Sequence, residues 1–423
     1  MSAAHLEALL GAAFARSDAL FARLSPEDLG ARPIGLRHPF LFYVGHLPAF
    51  AYNQVRGALG LAPLHERFDR LFARGIDPDS DEAARSASID AWPPLDEVIS
   101  YRDEARRVVR ERLPELLARE DDPLCARGRL LHIVVEHEVM HHETLMYMLQ
   151  EHVAGRAPVR DVPSGPGRSA EPRRIPAGDV VMGVDLDDLD FAWDNEIGHL
   201  EVEVPAFEID SLPVRNLDYR AFLDAHPGAA PAPRSWIVDH PAGPQVKTVL
   251  GPVPFEHAAG WPVQVSGEEA RAYAAWRGGR LPTEAEIRRA AFGDPEGRVR
   301  PHPWGDEPPS ARHGNFDFAQ WTPLPVGSSP AGVSAFGVEE LVGNGWEWTR
   351  TPFAPLPGFV AWARTYPGYS ADFFDGEHDV VFGASWATDK KLLRPSLRNW
   401  YRRDYPYVFS SFRVAFGDPP SSA

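Results

Sequence analysis

Two histidines four residues apart offer the clearest chemistry in this sequence. They fall in the stretch LLHIVVEHEVMHHETLMYMLQ at residues 130–150. Apolar side chains and these two histidines recur there at spacings of three and four, as on one face of a helix. Such neighbours lie about 5 to 6 Å apart at Cβ, so the imidazoles of His137 and His141 can reach one metal ion. The alternative is a pair of hydrogen-bonded core histidines, which is costly to bury without a metal or a charge partner.

The same stretch contains the HExxH pattern of zinc proteases, in which Glu138 would be the general base. Such a site needs a third ligand, but the helix ends near Gly155 without a second half of the motif close behind. The upstream candidate in a helical context is His46, in RHPFLFYVGHLPAF. Three neutral histidines leave open coordination positions, which suits an iron(II) ion that binds oxygen and substrate together. Ligand type alone leaves zinc possible.

Composition narrows the class of protein. The 423 residues include 43 basic and 60 acidic side chains, for a net charge of -17, which disfavours a nucleic-acid partner. The first residues lack a basic leader region, and no run of about eighteen apolar residues occurs, so we expect a cytoplasmic protein without a membrane span. Cys125 is the single cysteine, which excludes an internal disulfide. Redox chemistry would therefore require a metal or a cofactor.

The length and a change of character along the chain predict two domains and an α+β fold class. Residues 1–153 carry four helical patterns and predict a bundle with metal ligands that point inward. Residues 154–172 are rich in Pro, Gly, Ser and Arg and predict a linker. Residues 173–423 predict a mixed domain of short strands and irregular structure. Its clearest helix signals are residues 266–276 and 283–291, the second opened by a capping box.

Two aromatic segments of the second domain indicate ligand binding. Tyr366 and Tyr369 flank a Pro-Gly turn, and residues 397–405 read LRNWYRRDY. Each aromatic side chain taken alone is explained by packing. Together they predict a pocket in which an indole face holds a cationic group, an interaction worth about 0.5 to 2 kcal/mol.

Longer motifs resemble a known family. RIPAGDVVMG, FAWDNEIGH, GRLPTEAEIRRAA, PVGSSPAGVSAFGVEELVGNGWEWT and FGASWATD with FRVAF resemble, in that order, the formylglycine-generating-enzyme-like domain, a C-type-lectin-like fold. The helical half, with its GH and HExxH elements, is similar to the DinB-like four-helix bundle fused to that domain in the iron-dependent sulfoxide synthases of ergothioneine and ovothiol biosynthesis. Selenoneine synthases belong to the same family. The resemblance covers essentially the whole chain, and the absence of cysteine after residue 125 excludes formylglycine-generating activity.

The resemblance implies a ligand set for iron(II). The family's three-histidine site falls on His46, His137 and His141, in agreement with the spacing argument. Glu138 would then lie on the surface or beside the ligands and would not act as a base.

The resemblance also implies roles for the aromatic segments. Asn399 and Trp400 would hold hercynine, the trimethylated histidine, with the indole against the quaternary ammonium. Tyr369 would contact the betaine, and Tyr366 would donate a proton in the oxygen step. A phenol suits that step because its reference pKa of about 10 keeps it protonated at neutral pH.

The sequence departs from the family pattern on the donor side. Synthases that use γ-glutamylcysteine carry an Asp directly after the Asn-Trp pair and an Arg four residues later, where this chain has Tyr401 and Tyr405. A zwitterionic dipeptide would have its ends unpaired there. We therefore predict a selenosugar donor that contacts these tyrosines, with cysteine or γ-glutamylcysteine as the sulfur alternative. The LRHPFLFYVGHLPAF element is also closer to the ovothiol and selenoneine branches than to the PPxWHxGH form.

These observations predict a non-haem iron(II) oxidoreductase that joins selenium or sulfur to the hercynine imidazole with dioxygen. Two alternatives stay open at this point. One is a zinc hydrolase with Glu138 as base, and the other is a non-catalytic betaine-binding protein that needs Trp400 but not the histidines. Four arginines near these motifs, taken one by one, are expected to form surface ion pairs: Arg37, Arg398, Arg402 and Arg403.

Overall fold

The chain folds into two compact units, Met1–His152 and Val153–Ala423. They are seen in a computed structural model, which describes residues 3–73, 92–362, 364–366 and 368–418. Within those ranges, every helix is too short or too polar to span a lipid bilayer. The helical first unit and the mixed second unit confirm the predicted α+β fold class.

The first unit is a helical bundle. Its helices are α1 (Ala3–Phe21), α2 (Phe40–Leu59), α3 (Glu66–Leu71), α4 (Leu95–Leu117) and α5 (Arg129–His152). Helix α2 packs along α4, α1 packs along α5, and α2 also meets α5. The four long helices of the described part of this unit agree with the predicted bundle.

Helix α5 is buried along most of its length. Between Arg129 and Gln150, all of its residues except His132 and Met140 are buried. A helix buried on all sides is expected to be apolar, yet this one carries several histidines and acids. Its polar side chains must therefore find partners inside the bundle.

The second unit contains short strands and short helices. Its strands are β1 (Pro172–Ile175), β2 (Gly178–Met182), β3 (Leu200–Val204), β4 (Phe207–Asp210), β5 (Trp236–Ile237), β6 (Gln245–Val246), β7 (Val253–Pro254), β8 (Gly345–Pro352), β9 (His378–Ala384), β10 (Asn399–Arg402), β11 (Ser410–Ser411) and β12 (Ala415–Phe416). They form small sheets in the orders β1-β4-β12, β2-β3 and β5-β6-β7, and a larger one in the order β10-β9-β8-β11. In the larger sheet β11 runs parallel to β8, and the other pairs are antiparallel.

The helices of the second unit are α6 (Asn216–Ala225), α7 (Phe255–Ala258), α8 (Gly267–Trp276) and α9 (Glu284–Phe292). The predicted capping box of α9 is confirmed, because Thr283 Oγ1 accepts the Glu286 N–H at 3.1 Å and the Thr283 N–H donates to the Glu286 carboxylate at 2.8 Å. Helix α6 was not among the predicted elements. Its local signal is Asp218, the third residue of the helix, whose carboxylate accepts the N–H of Arg215 at 3.3 Å.

Gly45 allows a close contact between α2 and the residue that follows α3. A Cβ at position 45 would lie 2.5 Å from the ring of Phe72, closer than side-chain atoms can approach. Gly57 lies in the same helix, but among the residues that the structure describes no atom outside the helix's own backbone lies within 4 Å of its added Cβ. The two glycines therefore differ in what an added methyl group would meet.

We expect Gly45→Ala to lower the free energy of unfolding of the first unit by about 1 to 3 kcal/mol, because the methyl group forces Phe72 away from α2. Gly57→Ala should raise it by about 0.5 to 1 kcal/mol, because alanine loses less backbone entropy in a helix. Urea unfolding followed by far-ultraviolet circular dichroism measures both. Equal effects of the two substitutions would contradict the packing argument.

Candidate metal centre and aromatic cluster

The three predicted metal ligands lie together inside the first unit. His46 is in the middle of α2, and His137 and His141 occupy successive turns of α5. The Nε2 atom of His141 lies 3.2 Å from Nε2 of His46 and 3.2 Å from Nε2 of His137. One ligand nitrogen from each residue lies within 4.8 Å of the other two. The two helices thus direct three imidazole nitrogens at one small volume.

A backbone carbonyl and two phenyl rings orient the imidazoles. The Nδ1 of His46 lies 2.7 Å from the carbonyl oxygen of Phe72, which can only accept, so Nδ1 donates and Nε2 keeps its lone pair. Phe42 stacks on His46 at a centroid distance of 4.9 Å, and Phe50 stacks on His137 at 3.5 Å. Because positions 42, 46 and 50 are four apart, one face of α2 supplies a ligand and both stacking rings.

Burial keeps these imidazoles neutral. It lowers the pKa of His46 to about 4 and holds the pKa of His137 and His141 well below the usual range, with neighbouring imidazoles adding to the effect. The neutral form is the one that binds metals. Two Nε2 lone pairs 3.2 Å apart need a proton or a cation between them. Metal–nitrogen bonds of about 2.1 Å at right angles separate ligand atoms by about 3 Å, so the donor set fits a metal ion.

Glu138 contacts other helices of the bundle. Its side chain is only 1% exposed, which excludes the surface, one of the two positions expected for it. Ser17 of α1 donates to its Oε1 at 2.5 Å, and Arg106 of α4 lies 3.5 Å from the same oxygen. The Nε2 of His142 lies 2.8 Å from the Ser17 oxygen. This network fixes α5 against α1 and α4, and it engages the carboxylate that a zinc hydrolase would use as its base.

In the second unit, the predicted tyrosine pair and the indole belong to one aromatic cluster. The ring centroids of Tyr366 and Tyr369 are 5.1 Å apart, and Tyr369 meets Trp400 edge-on at 5.4 Å. Trp193 stacks on Tyr369 at 4.2 Å, and Phe353 stacks on Trp400 at 4.1 Å. We call these five residues the aromatic cluster. It brings together two segments that are separate in the sequence.

Phe353 is backed by a buried guanidinium on Arg398. The guanidinium carbon lies 5.2 Å from the Phe353 ring centroid, and the side chain donates to both carboxylate oxygens of Glu284 at 3.0 Å. Arg398 and Arg37 are 4% and 3% exposed, so the expectation of surface ion pairs is wrong for both. Arg398 instead supports the ring on which Trp400 rests.

Tyr366 keeps its proton in this environment. Burial raises the pKa of its phenol to about 12. The hydroxyl group is therefore a proton donor, not an anion, over the physiological pH range.

Strand β10 separates the remaining predicted residues by face. It lies at one end of the four-stranded sheet, with Trp400 opposite Val380 and Tyr401 opposite Asp379. Successive side chains of a strand point to opposite faces, so Asn399 and Tyr401 project away from the face of Trp400. The rings of Tyr401 and Tyr405 are parallel with centroids 6.0 Å apart. The two proposed donor-side tyrosines therefore stay together, on the face opposite the indole.

Trp193, Asp194 and Phe353 were not among the predicted site residues, although FAWDNEIGH carries part of the family resemblance. Trp193 and Phe353 complete the aromatic cluster, and Asp194 is bonded to the segment that carries the tyrosines. The local signal was an acid-amide-acid run next to a tryptophan. Its partners lie far along the chain, so no spacing rule connects them.

Comparison with known proteins identifies relatives of both units. The DinB superfamily pattern matches residues 9–145, and the sulfatase-modifying factor enzyme 1-like domain matches residues 161–417. Hercynine oxygenase of Mycolicibacterium smegmatis is 36% identical over 326 residues, covering 70% of this chain and 73% of the relative. The hercynine oxygenase of Mycolicibacterium thermoresistibile is 39% identical over 315 residues, covering 67% and 68%.

A longer fungal relative matches both units. Ergothioneine biosynthesis protein 1 of Neurospora crassa is 32% identical over 492 residues, covering 92% of this chain and 55% of the relative. The chain thus spans little more than half the length of this relative.

We expect His141→Ala to weaken iron(II) binding by more than about 100-fold, because loss of a partner behind a ligand already costs 10- to 100-fold. Anaerobic iron(II) titration with metal analysis measures the loss. His152→Ala is the matched control, since His152 is in the same helix but pairs with Asp28 at 2.7 Å. Retention of one ion per chain by the His141 variant would rule out this histidine as a ligand.

Proposed function

Because the chain belongs to the family that fuses a DinB-superfamily bundle to a sulfatase-modifying-factor-like domain, with the hercynine oxygenases among its members, we propose that it oxidatively joins selenium or sulfur to the imidazole of hercynine. The observation that carries the proposal is the set of three neutral, converging imidazoles in the first unit. A buried three-histidine donor set with no carboxylate leaves open positions for substrates.

We assign iron(II) to His46, His137 and His141. When bound there, iron(II) supplies the one-electron chemistry that dioxygen requires. The protein's contribution is to hold the three ligands neutral and oriented, through burial, the Phe72 carbonyl and the stacked phenyl rings of α2.

Recognition of the trimethylammonium group of hercynine is assigned to Trp400 and Tyr369, whereas the predicted part of Asn399 in holding hercynine does not fit its place on the opposite face of β10. A trimethylammonium group has no hydrogen to donate, so aromatic faces are its natural partners. Trp400 rests on Phe353, which lies against Arg398, and this stack fixes the plane of the indole. Tyr369 is held from its other side by Trp193.

Proton supply in the oxygen step is assigned to Tyr366. Its raised pKa means that the phenol releases its proton only to a strongly basic acceptor. This property limits proton transfer to the moment when such an acceptor forms.

The donor is proposed to be a selenosugar. Tyr401 and Tyr405 offer aromatic faces and neutral hydroxyls where γ-glutamylcysteine-using relatives carry an acid and a base. Neutral groups of this kind suit a hexose ring better than a zwitterionic peptide. Cysteine is the second candidate, because it needs fewer charged partners than the dipeptide.

Two other functions are less well supported. A zinc hydrolase needs a free general base next to the metal, whereas Glu138 accepts a hydrogen bond from Ser17 and faces Arg106. A betaine-binding protein without catalysis would have no use for three buried imidazoles, whose desolvation carries a free-energy cost.

Trp400→Ala is expected to weaken hercynine binding by about 2- to 30-fold, the range of a cation–π contact. Anaerobic calorimetry with the iron-loaded protein measures it, and iron content should not change. Trp276→Ala is the matched control, because Trp276 is 38% exposed and packs on Phe222, outside the aromatic cluster. Equal hercynine affinity in the parent and the Trp400 variant would remove the indole from the binding site.

A donor competition tests the reaction itself. Iron-loaded protein, hercynine and air are mixed with equal amounts of cysteine, γ-glutamylcysteine and a selenosugar, and products are identified by mass spectrometry. We expect a selenium-containing product, and none with the His141→Ala protein. A product that contains only sulfur would contradict the selenosugar assignment, and no hercynine-derived product would contradict the proposed function.

A further inference from the structure

A buried carboxylate next to the aromatic cluster has no role in the chemistry proposed above. Asp194 is 1% exposed and begins a short 3-10 helix, Asp194–Glu196. The hydroxyl of Ser370 donates to its Oδ1 at 2.5 Å, and the N–H of Trp362 donates to its Oδ2 at 3.2 Å. One carboxylate thus holds two separate points of the same segment.

The tyrosine pair lies between those two points. The N–H of Tyr366 donates to the carbonyl of Trp362 at 3.0 Å, and the N–H of Tyr369 donates to the carbonyl of Tyr366 at 3.1 Å. Tyr366 is therefore tied to one residue that Asp194 holds, and Tyr369 directly precedes the other. The backbone positions of both tyrosines depend on these contacts.

The side chains of the pair meet the same short region of the chain. Trp193, the neighbour of Asp194, stacks on Tyr369 at 4.2 Å and lies edge-on to Tyr366 at 6.4 Å. Trp193 thus limits ring motion, while Asp194 holds the backbone. Two independent contacts converge on one segment.

We propose that Asp194 is a positioning residue that holds Tyr366 and Tyr369 in the geometry needed for reaction. The inference rests on the proposed function, since it deepens the roles assigned to the two phenols. A carboxylate suits the task because both of its oxygens accept, whereas an amide offers one acceptor and one donor. Hydrogen bonds to a charged acceptor are also stronger than those to a neutral one.

Burial raises the pKa of Asp194, and the hydrogen bonds from Ser370 and from the Trp362 N–H oppose that rise. The donors that hold the segment are therefore also the groups that stabilise the charged form.

A double-mutant cycle tests the link to catalysis. Asp194→Asn keeps the size of the side chain but turns one acceptor into a donor, so it should lower kcat by about tenfold. In a Tyr366→Phe background, Asp194→Asn should lower kcat by less than about twofold, because the proton-donating phenol of Tyr366 is already absent. An equal loss in both backgrounds would show a general effect on the fold and would overturn the proposal.

Hydrogen exchange tests the positioning without any turnover. The backbone amides of residues 364–366 and 368–370 should exchange about tenfold faster in Asp194→Asn than in the parent. Glu340→Gln is the matched control, because Glu340 is also buried and accepts the N–H groups of Gly327 and Ser328 at 2.8 and 3.0 Å. It should leave exchange in this segment and kcat unchanged. Unchanged exchange in Asp194→Asn, or equally fast exchange in the control, would overturn the proposal.

Ser370→Ala covers the case in which Asp194→Asn does not fold. It removes one of the two donors and should change kcat and exchange in the same direction by a smaller factor. Absence of either change would overturn the proposal. If the parent protein does not convert hercynine with any of the three donors, the proposed function fails. The exchange experiment still decides whether Asp194 holds the segment.

Discussion

Three imidazoles can share a small volume in a protein interior only if all three stay uncharged. The bundle meets this condition by burying His46, His137 and His141, which lowers their pKa values, and phenyl rings stack on the first two. The same burial leaves their Nε2 atoms close together on uncharged rings, an arrangement that favours a cation. Helix α5 therefore carries two polar layers: imidazoles toward α2, and the Glu138 network toward α1 and α4. The Glu138 network fixes the rotation of α5 about its axis, and this rotation sets the direction in which the imidazoles point.

In the second unit, the short 3-10 helix Asp194–Glu196 supports both the tyrosine pair and the stacked rings of Phe353 and Trp400. Asp194 holds the segment of the tyrosines, and the carbonyl of Asn195 accepts from Arg398, on which Phe353 and the indole rest. Glu196 pairs with Arg394 through a 2.7 Å contact, just before strand β10. Three consecutive residues thus set the positions of groups that the chain delivers from two distant segments. Their burial explains why polar side chains persist in the centre of this unit.

Local rules predicted the bundle helices, α8 and α9 but not α6, and they placed the candidate ligands on helix faces. The i, i+4 spacing of His137 and His141 and the face shared by Phe42, His46 and Phe50 follow from 3.6 residues per turn. The capping box at Thr283 was equally local. Trp193, Asp194 and Phe353 were missed because their partners are far along the chain, and no periodicity connects such residues. The burial of Arg398 and Glu138 was missed for the same reason: whether a charged side chain is buried depends on partners supplied by other elements.

The alternation of strand β10 places residues with two different proposed recognition roles on opposite faces of the sheet. The indole of Trp400 faces the aromatic cluster, whereas Tyr401 and its neighbour Tyr405 lie on the other face. Substitutions at the two tyrosines can therefore accumulate without moving the surface proposed for the ammonium group. Under the proposed roles, a lineage with this architecture can exchange one co-substrate for another in a few mutational steps while its preference for the other co-substrate is inherited unchanged.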